Sequence, residues 1–275
     1  MIKCSWQGNN ANFPAIGYSN VLEDNMKIFV VNLIGKRATR IIVSFTLVLV
    51  ILLAAAIGLV SKIYGDRMIS TSAGLVDEKK IVIIDAGHGG EDSGAVGVNG
   101  ALEKDLNLQM ALEVGRSLEE KGCVVVYTRT DDRLLYTEEE NVHGIRKISD
   151  LKNRCKVADR YPGAVFVSLH MNSFGAEKYS GLQVYYSEQG ETSRELADKV
   201  QNKVVADLQK DNNRVIKSGK DMYILSHITN PAILIECGFL TNKAECEKLS
   251  QKEYQKQLSF SIVCGIIEYI EGLSN

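Results

Sequence analysis

The sequence lacks several features that would place it in a special class of protein. Its formal net charge is only −2, so no broad positive field is available to hold nucleic acid. It has three prolines and 23 dispersed glycines, which excludes collagen-like and low-complexity chains. None of the six cysteines falls in a Cys-x-x-Cys pair, and we expect them to be free structural side chains. With no internal repeat, the sequence predicts an ordinary globular domain.

One long apolar run interrupts this ordinary composition. Ile41–Val60 contains no charged side chain and has about the length that crosses the hydrocarbon core of a bilayer. Lys36, Arg37 and Arg40 precede the run, and positive residues stay on the cytoplasmic side. We expect an uncleaved transmembrane anchor. The alternative is a signal segment that is cleaved near Ala54–Ala56, which would give a secreted protein.

This segment divides the chain into four predicted parts. Residues 1–40 form a cytoplasmic tail, in which residues 1–25 are a disordered tail or an upstream-start artefact, because Met26 begins a conventional basic leader. Residues 61–79 form a polar linker. Residues 80–275 form one catalytic domain, which the orientation of the anchor places outside the cytoplasm.

Short apolar runs alternate with amphipathic helices through the exported part. This alternation predicts an α/β fold, an open sheet with helices on both faces. Thr192–Glu195 resembles a capping box that opens one of the helices. The predicted helices begin near Leu102, Leu151, Ser193 and Tyr254, and the predicted strands are Ile81–Asp85, Cys123–Tyr127, Ala164–Leu169, Leu182–Tyr186, Met222–Leu225 and Ala232–Glu236.

Chemically capable side chains follow three of these strands. His88 follows the first strand between glycines, His170 follows the third, and Glu236 ends the last. Glu103 lies in the first turn of the helix after the glycine loop, one position from its buried stripe. Because ligands bind at the carboxyl ends of strands in open α/β sheets, we expect these side chains to converge.

Two imidazoles and one carboxylate suit Zn²⁺ in a catalytic site, where a fourth position is left for water. Glu236 follows an apolar run, so desolvation is expected to raise its pKa and make it a proton carrier. Taken singly, the histidines and Glu103 have ordinary structural explanations, such as a favourable helix-dipole contact for Glu103. Glu236 is the exception, because a carboxylate that ends an apolar strand is costly unless it is paired or functional. His143 and His227 lie in polar surroundings and are not expected to bind metal.

Together these motifs resemble the zinc-dependent N-acetylmuramoyl-L-alanine amidases over residues 80–272. The resemblance implies that His88, Glu103 and His170 bind one zinc ion and that Glu236 is the catalytic acid and base. It further implies that Asn172 orders a loop or contacts substrate, and that the sheet is twisted, six-stranded and mostly parallel. The matching motifs are 84–90 with Asp92 and Gly94, 102–107, 128–129, 167–172 and 235–242.

The implied reaction is hydrolysis of the amide between the lactyl group of N-acetylmuramic acid and L-alanine in peptidoglycan. A longer insert between Arg129 and Asp150, the anchor and the absence of a wall-binding repeat are similar to the germination-specific amidases of spore-formers. Those act on spore cortex and prepare muramic-δ-lactam, which would place the domain in the forespore intermembrane space. No spare segment lies between His170 and Glu236 to form a plugging helix, so restraint is expected from export, metal loading or an accessory protein partner.

Two other functions compete with this interpretation. One is a zinc peptidase that acts on the stem peptide, because such enzymes also combine one zinc with a glutamate. The other is a non-catalytic, membrane-anchored wall-binding module. An amidase alone releases intact stem peptides that begin with L-alanine.

Overall fold

The computed structural model describes residues 80–273 except 138, 143, 144 and 191, together with residues 41, 45, 47–50, 52 and 53. The chain divides into two compact units, Met1–Gly74 and Leu75–Asn275. Among the described residues, no helix is long and apolar enough to cross a membrane. Most of the predicted anchor, Ile41–Val60, and all of the predicted tail and linker lie outside the described residues. The fold below concerns the second unit.

A six-stranded, mostly parallel sheet forms the centre of this unit, as the sequence predicts. The order of its strands is β2-β1-β3-β6-β4-β5. The first four strands in this order run parallel, and β4 pairs with β6 in the antiparallel direction. The strands are β1 (Ile81–Ala86), β2 (Val124–Tyr127), β3 (Val165–Asn172), β4 (Gln183–Tyr186), β5 (Lys217–Ser218) and β6 (Ala232–Phe239).

Helices cover both faces of the sheet because alternate residues of the buried strands point to opposite sides. They are α1 (Glu103–Glu120), α2 (Arg146–Asp159), α3 (Ser193–Asp207), α4 (Tyr223–His227), α5 (Lys243–Leu249) and α6 (Lys252–Gly272). On one face, β-strand residues such as Ile84 and Ile235 pack with α1, α3, α5 and α6. On the other face, residues such as Phe166 and Leu234 pack with α2 and α4.

The predicted strand Met222–Leu225 is wrong, because Tyr223–His227 forms the short helix α4. A run of four apolar residues does not distinguish a buried strand from a buried helical turn. Ile224 and Leu225 are buried against the sheet in the second core cluster. The strand that pairs here is Lys217–Ser218, which is too short and too polar to carry a hydrophobic signal.

The predicted capping box is also absent from the start of α3. Thr192 is the N-cap residue, but its side chain makes no capping hydrogen bond. Its hydroxyl contacts the hydroxyl of Tyr269 instead. The hydroxyl of Ser193 accepts a hydrogen bond from the backbone N–H of Ala232 at 2.9 Å. Tertiary partners have therefore replaced the local cap that the sequence pattern favours.

Helices α3 and α6 approach closely at Gly265, where a Cβ atom would lie 2.7 Å from Cα of Val200. We expect Gly265→Ala to lower the free energy of unfolding by about 1–2 kcal/mol, because overpacking outweighs the gain in helix propensity. Gly272→Ala is the matched control, since nothing lies within 4 Å of its added Cβ. Urea denaturation of both variants measures the difference. Equal stability of the two variants would contradict close packing at Gly265.

Candidate metal centre

Three side chains from distant parts of the chain converge at the carboxyl edge of the sheet. Oε1 of Glu103 lies 3.2 Å from Nε2 of His88 and 3.0 Å from Nδ1 of His170. One ligand atom from each residue lies within 4.8 Å of the others, a spacing that could hold a metal ion. The two imidazole side chains remain 18% and 17% exposed, so the centre is open to small molecules. The predicted convergence is therefore present.

Glycines make room for this cluster. A Cβ on Gly87 would lie 2.2 Å from the ring of His170. A Cβ on Gly94 would lie 2.5 Å from Oε2 of Glu103 and 2.8 Å from Cδ2 of His88. His88 itself has a φ of 60°, in the left-handed region that non-glycine residues seldom adopt. The backbone around the centre is thus shaped to bring the side chains within reach.

Backbone and side-chain contacts fix the position of Glu103. Its Oε2 accepts a hydrogen bond from the N–H of Ala95 at 2.8 Å. Its Oε1 accepts from the N–H of Met171 at 3.2 Å, which links the carboxylate to β3 beside His170. The side-chain amide of Asn107 donates to the carbonyl of Gly87 at 3.1 Å and ties the same helix to the glycine loop. The carboxylate is consequently oriented before any ligand arrives.

A second carboxylate orients His88. Oδ2 of Asp92 lies 2.9 Å from Nδ1 of His88, the ring nitrogen opposite the one that faces Glu103. Lys147 lies 3.3 Å from the same Asp92 oxygen. A carboxylate behind a histidine of this kind sets the ring orientation and raises its basicity as a ligand. Asp92 belongs to one of the matching sequence motifs, but its position in the sequence indicated no role.

The pKa values of the cluster follow from its charges. Burial alone would lower the pKa of His88, but Asp92 and Glu103 outweigh it and raise that pKa to about 9. Burial opposes ionisation of Glu103, yet the contacts with His170 and His88 lower its pKa below the ordinary value. The carboxylates of Asp92 and Glu103 favour a positive charge between them. Without a metal, protonation of His88 supplies that charge.

Glu236 lies beside this cluster on the neighbouring strand. It is the register partner of His170 in the parallel pair of β3 and β6. Its Oε2 is buried and has no hydrogen-bond partner among the described residues. Burial raises the pKa of Glu236 and nearby Glu103 adds to this, while His170 and His88 oppose it. The direction of this shift is the one that the sequence predicts.

A buried arginine, Arg154 of α2, supports the strained loop that carries His88. Its guanidinium donates to the carbonyls of Ala86 and His88 at 2.6 and 2.7 Å. It also pairs with the fully buried Asp85 at 2.6 Å and with Asp150 at 2.8 Å. Burial would raise the pKa of Asp85, but Arg154 and hydroxyl hydrogen bonds lower it. The ion pair thus remains charged and holds the loop in place.

Arg129 completes this support from the other side. Its Nε donates to the carbonyl of Ala86, and its Nη2 donates to the carbonyls of Gly87 and Lys104, all at 2.8–2.9 Å. Arg129 belongs to one of the matching sequence motifs, whereas Arg154 was not predicted. Two sequence signals pointed to Arg154. Asp85 ends an apolar run of the sequence, as Glu236 does, and so needs a buried partner. Asp150 and Arg154 are four residues apart, a spacing that places them on one face of a helix.

The remaining candidate residues lie as follows. Asn172 ends β3, and its carbonyl accepts a hydrogen bond from the N–H of Leu240 at 2.8 Å. His227 is exposed at the end of α4, and its ring stacks on Tyr223. Of the described residues, only His88, Glu103 and His170 form a group that could hold a metal. His143 lies outside the described residues.

The glycine requirement at position 94 gives a specific prediction. Gly94 and Gly100 both have positive φ, so alanine at either position costs about 1–2 kcal/mol of backbone strain. Only the Gly94 Cβ would meet the cluster, because nothing lies within 4 Å of the Gly100 Cβ. We expect Gly94→Ala to weaken Zn²⁺ binding by about tenfold or more and Gly100→Ala to leave it nearly unchanged. Calorimetric zinc titration measures both, and equal affinities would contradict the packing described here.

Comparison with known proteins gives the family. Residues 82–268 match the family model described as N-acetylmuramoyl-L-alanine amidase. The chain is 35% identical over 190 residues to the germination-specific N-acetylmuramoyl-L-alanine amidase of Bacillus subtilis, covering 69% of this chain and 79% of that protein. It is 40% identical over 196 residues to the Bacillus subtilis protein YqiI, covering 70% and 86%. The structure of the CwlD amidase from Clostridioides difficile in complex with the GerS lipoprotein matches with a TM-score of 0.67 and 38% identity, covering 70% of this chain and 99% of that one. The chain therefore belongs to the N-acetylmuramoyl-L-alanine amidase family.

Proposed function

We propose that this protein hydrolyses the amide between the lactyl group of N-acetylmuramic acid and L-alanine in peptidoglycan, with Zn²⁺ as its cofactor. The observation that carries the proposal is the convergence of His88, Glu103 and His170 beside the unpartnered carboxylate oxygen of Glu236. Membership of the amidase family supplies the reaction. The cluster lies within residues 82–268, the part of the chain that the family model matches.

The donor set of the cluster fits zinc. Two imidazole nitrogens and one carboxylate oxygen are a common protein ligand set for catalytic Zn²⁺. His88, Glu103 and His170 would hold the ion, and Asp92 would set the ring orientation of His88. When bound, zinc supplies a Lewis acid that polarises a carbonyl and lowers the pKa of water.

Glu236 has the properties of the general base and acid. Its strand lies about 4.8 Å from the strand that carries His170, so the carboxyl group is next to the cluster. The buried oxygen with no partner is free to accept a proton from the attacking water. Its raised pKa makes the protonated form accessible for return of that proton to the leaving amine. Burial of the carboxyl group is thus part of its function.

We further propose a role in the spore cortex, where the products would be prepared for muramic-δ-lactam formation and germination. The germination-specific relative and the CwlD neighbour support this subtype. The CwlD structure contains the GerS lipoprotein, which supports an accessory protein partner for this chain as well. Ile41–Val60 would anchor the domain to the membrane, an inference that rests on its apolar sequence.

Product analysis separates this function from a peptidase that acts within the stem peptide. Purified protein is incubated with spore-cortex and vegetative wall fragments, and the soluble products are examined by mass spectrometry. An amidase releases intact stem peptides that begin with L-alanine and leaves free lactyl carboxylates on the glycan. Shortened stem peptides still attached to glycan would identify a peptidase, and no product from either substrate would favour a wall-binding module.

Substitution of three of the central residues distinguishes metal binding from proton transfer. We expect His88→Ala and His170→Ala to lose both zinc and activity. Glu236→Ala is expected to keep zinc and lose at least about 100-fold in rate, the usual contribution of a general acid or base. His227→Ala is the histidine control, because that side chain is exposed and outside the cluster. Zinc content is measured by plasma mass spectrometry, and near-normal turnover of zinc-loaded Glu236→Ala would contradict the assignment.

The raised pKa of His88 predicts how zinc binding depends on pH. Below about pH 9 a proton occupies the metal-free imidazole, and zinc must displace it. Lowering the pH by one unit in this range makes displacement about tenfold less favourable for one proton. Apparent affinity should therefore be about tenfold weaker at pH 7 than at pH 8, as measured with a competing chelator. Equal affinity at the two pH values would contradict a proton on His88.

A further inference from the structure

A row of polar side chains leads away from the candidate metal centre across the sheet. His170, Glu236 and Gln183 are register partners on the adjacent strands β3, β6 and β4. Directly opposed residues on adjacent strands project from the same face. Gln183 is buried, and its side-chain oxygen accepts a hydrogen bond from Nη1 of Arg214 at 3.0 Å. The row therefore ends at an arginine on the same edge of the sheet as the centre.

The side chain of Arg214 is fixed by its contacts, while some of its guanidinium N–H donors have no partner among the described residues. Its Nε donates to the carbonyl of Ser180 at 2.8 Å, and its Cζ lies 4.5 Å from the ring centroid of Phe239. No carboxylate among the described residues lies within ion-pair distance of it, and no hydrogen bond engages Nη2 in that part of the chain. The side chain is partly exposed. A fixed cation with free donors is suited to bind an incoming carboxylate.

The buried acid Glu245 interacts electrostatically with Arg214 but forms no ion pair with it. Both oxygens of Glu245 accept backbone hydrogen bonds, from the N–H of Gly181 at 2.8 Å and from that of Phe239 at 2.7 Å. Burial raises the pKa of Glu245, whereas these hydrogen bonds and Arg214 lower it. Arg214 and Glu245 also line one open polar cavity of about 610 Å³. The cavity can receive several atoms of a polar ligand beside the arginine.

We propose that Arg214 is a specificity-determining residue that binds a carboxylate of the peptidoglycan stem peptide. This inference rests on the proposed amidase function, and it concerns the part of the substrate beyond the bond that is cut. Gln183 lies two strand spacings, or about 10 Å, from His170. An extended peptide advances about 3.5 Å per residue. The carboxylate therefore belongs to the second or third residue of the stem.

Two synthetic N-acetylmuramoyl tripeptides test this proposal. In the first tripeptide, the side-chain and terminal carboxylates are free. In the second, both of these groups are converted to carboxamides. We expect Arg214→Gln to lower kcat/KM about 10- to 100-fold on the free-carboxylate substrate, mainly through KM, and to change the amide substrate little. Arg214→Lys keeps the charge without the planar fork and should fall between the two. Arg194→Gln is the control, because it removes an equal, exposed charge at the start of α3.

Each outcome separates this proposal from the proposed function. Hydrolysis of either tripeptide by the unaltered protein reports on the amidase activity, and the ratio of the two rates reports on Arg214. An equal loss on both substrates would overturn carboxylate recognition and assign Arg214 a structural role. If Arg214→Gln does not fold, the unaltered protein still tests the proposal through its kcat/KM on the two tripeptides. Equal kcat/KM values for the free-carboxylate and the amide substrate would overturn the proposal.

Discussion

The carboxylate of Glu103 is the contact on which the site depends. It lies between the imidazole of His88, in the loop after β1, and that of His170, in β3. It also accepts hydrogen bonds from the backbone N–H groups of Ala95 and Met171. A buried carboxylate is costly unless its charge is balanced, so the two histidines and the glycine loop must remain close to it. Fold and site are thus coupled, because the helix that begins at Glu103 packs its apolar stripe on the same sheet.

Two buried arginines extend this constraint to the backbone. His88 has a left-handed conformation, which is unfavourable for a residue with a side chain. Arg154 and Arg129 donate hydrogen bonds to the carbonyls of Ala86, Gly87 and His88. Asp85 balances the charge of Arg154. The loop is therefore positioned by hydrogen bonds that do not involve the side chains of His88, Glu103 or His170. This arrangement preorganises the centre for an ion, in line with the proposed zinc enzyme.

Much of the fold and of the candidate site could be predicted from the sequence because strong local patterns coincide with it. Apolar runs indicate the central strands, and His88 and Glu103 follow the first of them. His170 and Glu236 lie within β3 and β6, which continue to Asn172 and Phe239 beyond their predicted ends. The errors fall where tertiary contacts decide the outcome, as in α4 and the two-residue strand β5. Arg214 was missed because it bonds to Gln183, which antiparallel pairing of β4 places opposite Glu236, and no local pattern reveals that pairing.

The central claim is that two imidazoles and one carboxylate hold a single zinc ion. X-ray absorption spectroscopy at the zinc edge of the purified protein tests it most directly. The account predicts one zinc per chain, with only nitrogen and oxygen neighbours at about 2.0–2.2 Å. Sulfur is the alternative ligand, because the described residues include five free cysteines: Cys123, Cys155, Cys237, Cys246 and Cys264. Sulfur neighbours at about 2.3 Å, or an unchanged spectrum in His88→Ala, would contradict the account.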